Sequence, residues 1–210
     1  MLKRAKSLVN KVRLAWFSSG DYWDRRYQQG GTSGGGSVGR LARFKAEVIN
    51  RFVQENGVRS VIELGSGDGT QLELAEYPRY SGVDVSKTVV EATREKFKDD
   101  PTKQFHTALP AGTTADLTLS LDVIYHLVED AVFERYMTDL FDAATRFVII
   151  YASNKDECGA VHVRHRKFTD WIERNQPEAR LLQTIPNRFP LDPADPVETS
   201  FADFYIFAVS

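Results

Sequence analysis

The amino-acid sequence predicts an α/β fold: a mostly parallel sheet with helices on both faces and an antiparallel hairpin at its C-terminal edge. Short apolar runs near 60–65, 80–85, 103–109, 115–122 and 146–153 alternate with helical patterns near 69–76, 86–98, 130–144 and 165–176, as crossover connections in a parallel sheet require. The last two strand-like runs, Arg180 to Phe189 and Phe201 to Ser210, are joined by the Pro- and Asp-rich segment 190–199, which leaves no room for a crossover helix. Two strands connected that way pair antiparallel. With 210 residues, 42% of them hydrophobic and 27% charged, the chain suffices for one buried core and is short for two ordinary domains.

From the amino terminus, Lys3, Arg4, Lys6, Lys11 and Arg13 precede any acid, the first being Asp21. Apolar Leu2, Ala5, Val9, Val12 and Trp16 recur at gaps of three and four, so residues 1–17 read as a basic amphipathic helix. Such a helix either packs on its own domain or contacts a membrane surface. Residues 28–39 hold six glycines and exclude a regular helix or strand, because glycine loses the most backbone entropy on ordering. Residues 1–39 are therefore expected to form a helix and a glycine-rich cap ahead of a domain spanning 40–210. Leu41, Phe44, Val48 and Phe52 open that domain with an apolar helical face, and Gly57 stands where a left-handed cap would end the helix.

The net charge of -2 and pI near 6.1 provide no global attraction for nucleic acid. The single cysteine, Cys158, has no metal-ligand spacing around it and is expected to be an inert loop thiol in a reducing compartment. No run approaches the roughly 18 apolar residues of a membrane span, and the amino terminus lacks the apolar core of a secretory signal. A cytoplasmic protein is expected, with peripheral contact at the inner membrane through residues 1–17 as an open alternative.

The strand Ser60-Val-Ile-Glu-Leu is followed by Gly65, Gly67 and Gly69, and Asp84 ends the next strand about 19 residues beyond Gly65. Glycines at such a turn let backbone approach a ligand, and an acid one strand later accepts hydrogen bonds from ribose hydroxyls. The dinucleotide fingerprint G-x-G-x-x-G is not met, since the third glycine comes one residue early. Glu63 would also repel a pyrophosphate, whereas it could hold an ammonium group.

On these residues the chain resembles the class I S-adenosylmethionine-dependent methyltransferases, whose first motif is an acid, one residue and Gly-x-Gly, and whose second is a ribose-binding acid. The likeness runs from Tyr22-Trp-Asp-Arg-Arg-Tyr27 to the terminal hairpin. It implies a Rossmann-like, seven-stranded sheet and S-adenosylmethionine as cofactor. It further implies that Glu63, Gly65, Ser66 and Gly67 hold the methionine end, that Asp84 holds the ribose and that Val85 flanks the adenine. Tyr22, Tyr27 and the glycine loop would cap the cofactor, with Leu121 and Asp122 beside it. Leu109-Pro-Ala-Gly112 departs from the pattern by lacking an acid for the adenine amino group.

The central strand Asp116 to Asp122 runs into Val-Ile-Tyr-His126, so Asp122, Tyr125 and His126 fall where an acceptor would sit. Methyl transfer needs alignment above all, and a hydroxyl acceptor also needs a base, for which a histidine near its unperturbed pKa is the usual choice. His126 is that candidate or a packing residue of the turn, while Asp122 orients the turn or the substrate. A second cluster, Asn154 followed by His162-Val-Arg-His-Arg-Lys167, places Arg164 and Arg166 as grips for a carboxylate or phosphate, with His162 and His165 as alternative bases. Magnesium held by Asp122 and Asn154 lacks a convincing third ligand, and no metal is expected. Neither Asn-Pro-Pro-Tyr nor a Pro-Cys nucleophile is present, which argues against nucleic-acid bases and protein amides as targets. The wording of Ser120 to Asp130 and of 162–167 is similar to that of small bacterial methyltransferases of sugars and other small metabolites. A surface polysaccharide or sugar precursor is therefore the expected acceptor, with metal-assisted O-methylation of another metabolite or a non-catalytic scaffold as the alternatives.

Overall fold

The computed structural model describes residues 17–158 and 160–209. The helices are α1 (Ser19–Gln28), α2 (Gly39–Glu55), α3 (Lys87–Lys96), α4 (Asp130–Asp142) and α5 (Phe168–Asn175). Seven strands form the main sheet: β1 (Val61–Leu64), β2 (Tyr80–Val83), β3 (Lys103–His106), β4 (Ala115–Leu121), β5 (Ala144–Ala152), β8 (Arg180–Ile185) and β9 (Asp203–Ala208). A separate two-stranded ribbon pairs β6 (Glu157–Cys158) with β7 (Arg164–His165).

The sheet order is β3-β2-β1-β4-β5-β9-β8. The first five strands are parallel, and β9 runs antiparallel to both β5 and β8. The fold is the Rossmann-like one expected, with the antiparallel hairpin at its C-terminal edge. The chain steps outward from β1 to β2 and β3 and then returns to the other side of β1 with β4. That reversal opens a crevice at the carboxyl ends of β1 and β4, the place where ligands bind in open α/β sheets.

Helices on both faces explain why the strands read as continuous apolar runs. On β5, Val148 and Ile150 pack on one side with Met137, Leu140, Phe141 and Trp171, whereas Ile149 and Tyr151 pack on the other with Phe44, Ile49 and Phe204. All four β5 side chains are buried because neither face meets water. Gly57 ends α2 in the left-handed conformation, φ 57°, as its position in the sequence predicts.

Three elements differ from the sequence-based expectation. The helical pattern near 69–76 is only a 3₁₀ turn, Leu72–Leu74. Three left-handed glycines precede it, and its backbone is tied to α2 by Asn50, which donates to Leu74 O (2.9 Å) and accepts from Glu76 N (3.0 Å). The ribbon β6–β7 occupies part of the predicted loop and delays α5 to Phe168, and Cys158 lies in β6. Helix α1 has no apolar stripe to reveal it, burying only Ser19 and Tyr27. It is held by polar contacts instead, with Ser18 Oγ capping Asp21 N (3.2 Å) and Ser19 N donating to Glu129 (2.8 Å). The basic amphipathic stretch 1–17 lies outside the described residues except for Phe17.

Leu117, fully buried at the centre of β4, tests the two-faced packing. Leu117→Ala is expected to lower unfolding free energy by about 2–5 kcal/mol in urea denaturation, the range for a buried leucine that leaves a cavity.

Candidate functional site

The turn after β1 is built for close backbone approach. Gly65 (φ 79°) carries N–H groups into the β2 end, where Gly65 N and Ser66 N donate to Val83 O at 2.7 and 3.1 Å. A Cβ on Gly65 would lie 2.5 Å from Val123 Cγ2. Gly67 (φ 58°) lies directly beneath the amino-terminal cap, since a Cβ there would meet Ser33 and, at 3.2 Å, the Tyr27 hydroxyl. Ser33 completes the contact: its N donates to Asp68 Oδ2 (2.8 Å) and its Oγ accepts from Asp68 N (2.9 Å). Over the next strand, Ser86 Oγ donates to Asp24 Oδ1 of α1 (2.6 Å). Tyr27 and the glycine-rich segment therefore cover the turn, and α1 reaches across to the end of β2.

Two buried carboxylates end the neighbouring strands. Glu63, facing Gly82 and Leu119 in register, accepts a hydrogen bond from Tyr80 Oη (2.7 Å). Burial pushes its carboxyl up to about 7, against the opposing pull of the Tyr80 hydrogen bond and the Lys45 charge. Asp84 accepts from Gly67 N and Ser86 N, each at 3.0 Å. Burial raises its carboxyl above the ordinary range, and the two backbone N–H groups offset part of that. Each Asp84 oxygen keeps a second lone pair for another donor. Val85 beside it is exposed, an apolar platform at the end of β2.

The third acid, Asp122, stands at the end of β4 with φ 61°, a left-handed conformation uncommon outside glycine. Its carboxylate accepts from Lys45 Nζ (2.7 Å) and Tyr125 Oη (2.9 Å). Lys45 is 1% exposed, and a lone charge buried that deeply is strongly unfavourable without a partner. Gly36 of the cap roofs the pair, since a Cβ there would lie 2.8 Å from Asp122 Oδ2. Lys45 is the functional candidate that sequence reading missed. Its signal was a lysine at fourfold spacing between Leu41 and Ile49, in the buried stripe of α2.

On the acceptor side the rings of Trp23, Tyr125 and His126 meet, with His126 4.8 Å from Trp23 and 4.6 Å from Tyr125. Tyr22 stacks on His162 at 4.9 Å, and His162 on His126 at 5.9 Å. His126 Nδ1 lies 3.1 Å from the His162 carbonyl oxygen, so the neutral ring donates through Nδ1 and leaves Nε2 as acceptor. Burial lowers its pKa to about 4, which corrects the expectation of a histidine near its unperturbed value. His165 is buried, its Nδ1 2.6 Å from Ser153 Oγ and its ring 5.9 Å from Tyr125.

The arginine cluster is also corrected. Arg166 is buried over the Phe133 ring and donates to Leu127 O, Val128 O (2.9 Å) and Asp130 (3.0 Å). Arg164 engages Val128 O (3.1 Å) and Asp130 (2.8 Å). Both guanidinium groups clamp the β4–α4 connection, and Asp130 removes the electrostatic conflict of bases near a helix start. Asn154 bonds Thr169 N (3.3 Å) and Oγ1 (3.0 Å) in the first turn of α5. Among the described residues no group of three or more His, Cys, Asp or Glu is placed to hold a metal ion.

No family model and no curated protein matches the chain. Solved structures do. Magnesium protoporphyrin IX methyltransferase from Synechocystis PCC 6803 with bound SAH aligns with TM-score 0.62 and 15% identity, covering 81% of this chain and 85% of that one. N-methyltransferase NodS from Bradyrhizobium japonicum WM9 aligns with TM-score 0.63 and 14% identity over 80% and 95%. The methyltransferase domain of bacterial CtHen1 gives 0.61 and 17% over 79% and 97%. At these identities the likeness is one of fold.

The Glu63 carboxyl sets a testable pH dependence. Its folded-state pKa of about 7 exceeds the ordinary 4.5, so the folded chain holds a proton that the unfolded chain releases between those values. Stability is then greatest below about 4.5 as far as this group is concerned and declines as pH rises through 7, by on the order of 3 kcal/mol. Denaturant titrations at pH 5 and pH 8 should show this loss in the wild type and a much smaller one in Glu63→Gln.

Proposed function

We propose that this chain is an S-adenosylmethionine-dependent methyltransferase that O-methylates a saccharide, either a sugar precursor or a surface polysaccharide. The observation that carries the reading is the convergence of Glu63, the Gly65–Gly69 turn and Asp84 at the β1/β4 reversal point. The donor set fits this cofactor. Glu63 is a buried acid in need of a cation, which an α-ammonium group supplies, and Asp84 has lone pairs left for ribose hydroxyls. A pyrophosphate suits the site poorly, because Glu63 repels it and the 3₁₀ turn Leu72–Leu74 provides no helix amino terminus to face it. Solved structures of the same fold carry SAM or SAH, which supports the assignment.

The cofactor supplies an activated methyl group, so the chain's own task is to align an acceptor lone pair and remove a proton. Asp122, held by Lys45 and Tyr125, orients the acceptor hydroxyl, and His126 takes its proton at Nε2. Trp23, Tyr22 and His162 form a run of rings around His126, a combination suited to a sugar with apolar faces and hydroxyl edges. Helix α1 and the glycine-rich segment 28–39 act as the cap, with Tyr22 and Tyr27 placed to cover the cofactor. Asp122 and His126 lie at the end of the central strand, where turn packing is the competing explanation for His126.

Calorimetry is expected to show binding of S-adenosylmethionine and S-adenosylhomocysteine and none of NAD; the reverse result overturns the reading. Asp84→Ala is expected to weaken S-adenosylhomocysteine by about 1–3 kcal/mol, the loss for unpaired hydrogen-bonding groups. The acceptor emerges from a turnover screen with labelled cofactor against sugar nucleotides and oligosaccharides, read by mass.

With that acceptor, His126→Ala should lower kcat by about 10²–10⁴-fold and leave S-adenosylhomocysteine affinity intact. The base works unprotonated, so wild-type turnover should rise with pH through about 4 rather than through the ordinary histidine range. Full turnover by His126→Ala returns the residue to turn packing.

A further inference from the structure

The outer face of α1 carries a groove whose arginines the proposed methyl-transfer site does not use. A depression of about 530 Å³, within the range of small-molecule pockets, is lined by Phe17, Asp21, Tyr22, Arg25, Arg26 and Gln29. Phe17 and Tyr22 form an aromatic wall, with ring centroids 5.7 Å apart. Arg25 is exposed on the same helix. Arg26 is anchored through Nε to Thr32 O (2.7 Å) and lies 5.6 Å from the Trp23 ring, and among the described residues its two terminal nitrogens make no hydrogen bond. Asp21 is the one acid among the described lining residues, and the sequence ahead of the groove holds five bases and no acid. Two arginines lining one groove beside aromatic rings form a typical setting for a phosphate on a ring-bearing molecule.

Tyr22 links the groove to the His126 side by ring stacking. Tyr22, which lines it, stacks on His162 at 12° between ring planes, and His162 stacks in turn on His126 at 13°. Burial first and then the Arg26 charge hold His162 below its usual pKa, which places that guanidinium within electrostatic reach of the stack. Arg164 and Arg166, the anion grips expected from the sequence, are committed to the protein's own carbonyls and Asp130. An anionic acceptor would therefore find its cations on α1.

From this arrangement we propose that the α1 groove binds a phosphate group of the acceptor through Arg25 and Arg26, with the reacting ring passing Tyr22 and His162 toward Asp122. The acceptor is then a phosphorylated saccharide, either free in solution or carried on a lipid phosphate. The acceptor role rests on the methyltransferase reading above, whereas the phosphate site is tested without it.

Pyrophosphate serves as the soluble probe in calorimetry of the full chain, and phosphatidylglycerol vesicles, with phosphatidylcholine as control, serve as the lipid probe in co-sedimentation. Pyrophosphate binding that Arg25→Glu weakens at least about tenfold, that Arg26→Gln also weakens and that added salt diminishes is the expected result. S-adenosylhomocysteine affinity should be unchanged in Arg25→Glu, and Arg25→Lys should retain part of the pyrophosphate affinity. Vesicle binding that Arg25→Glu abolishes and pyrophosphate competes away assigns the phosphate to a lipid carrier; pyrophosphate binding without vesicle binding assigns it to a soluble acceptor. The proposal is overturned if pyrophosphate does not bind or if Arg25→Glu and Arg26→Gln bind it as the wild type does; vesicle binding that depends on Lys3, Lys6 and Lys11 but not on Arg25 overturns its lipid-carrier form. Pyrophosphate binding by a chain that fails to bind S-adenosylhomocysteine would remove the methyltransferase reading and leave the groove intact.

Discussion

Three parallel strands of this sheet end in or beside a carboxylate, Glu63 on β1, Asp84 after β2 and Asp122 after β4, and the rest of the crevice is arranged around that concentration of negative charge. Carboxylates withdrawn from water are unfavourable unless hydrogen-bonded or paired, and each is handled differently. Asp84 draws on backbone N–H groups of the glycine turn and of Ser86. Asp122 takes the buried ammonium of Lys45. Glu63 has a tyrosine hydroxyl and only the more distant field of Lys45, and its raised pKa records the shortfall. The least compensated acid sits deepest, at the strand reversal, where a cationic ligand gains the most from it.

Docking of the amino-terminal cap follows from the same crevice. Helix α1 buries little apolar surface, its attachments to Glu129 and Ser86 are hydrogen bonds, and the glycine-rich segment after it is tied to Asp68 in the same way through Ser33. Such contacts each contribute on the order of 1 kcal/mol net, so the cap is fixed in register without the deep burial that holds α2 or α4. Glycine makes the close seating possible at Gly36 and Gly67, where a β-carbon would enter Asp122 or Ser33. The cap thus meets both the β1 turn and the β4 carboxylate, and its outer face carries the arginines of the groove.

Much of this organisation was legible in one dimension because it depends on local periodicity. The apolar runs marked β1 to β5 and the final hairpin, Gly57 marked the end of α2, and the acid-and-glycine spacing marked Glu63 to Asp84. Local pattern misled where distant partners decide the outcome. The apolar residues after Gly69 suggest a helix, yet Asn50 and the left-handed glycines leave a single 3₁₀ turn. Bases at 162–167 suggest a free anion grip, yet Asp130 and the carbonyls of Leu127 and Val128 claim both arginines.

The sequence by itself determined the fold class and the order of the main-sheet strands, because burial on two faces and glycine turns leave signatures within a few residues. Only the tertiary structure decided which charges meet. Lys45 and Asp122 are 77 positions apart, and nothing in their neighbourhoods along the chain announces the pair. Long-range packing of α2 across β4 and β5 brings them together, and the low dielectric of that interface makes the pairing compulsory. The same packing sets the protonation of Glu63 and His126, since a pKa responds to burial and neighbouring charge and not to residue type alone.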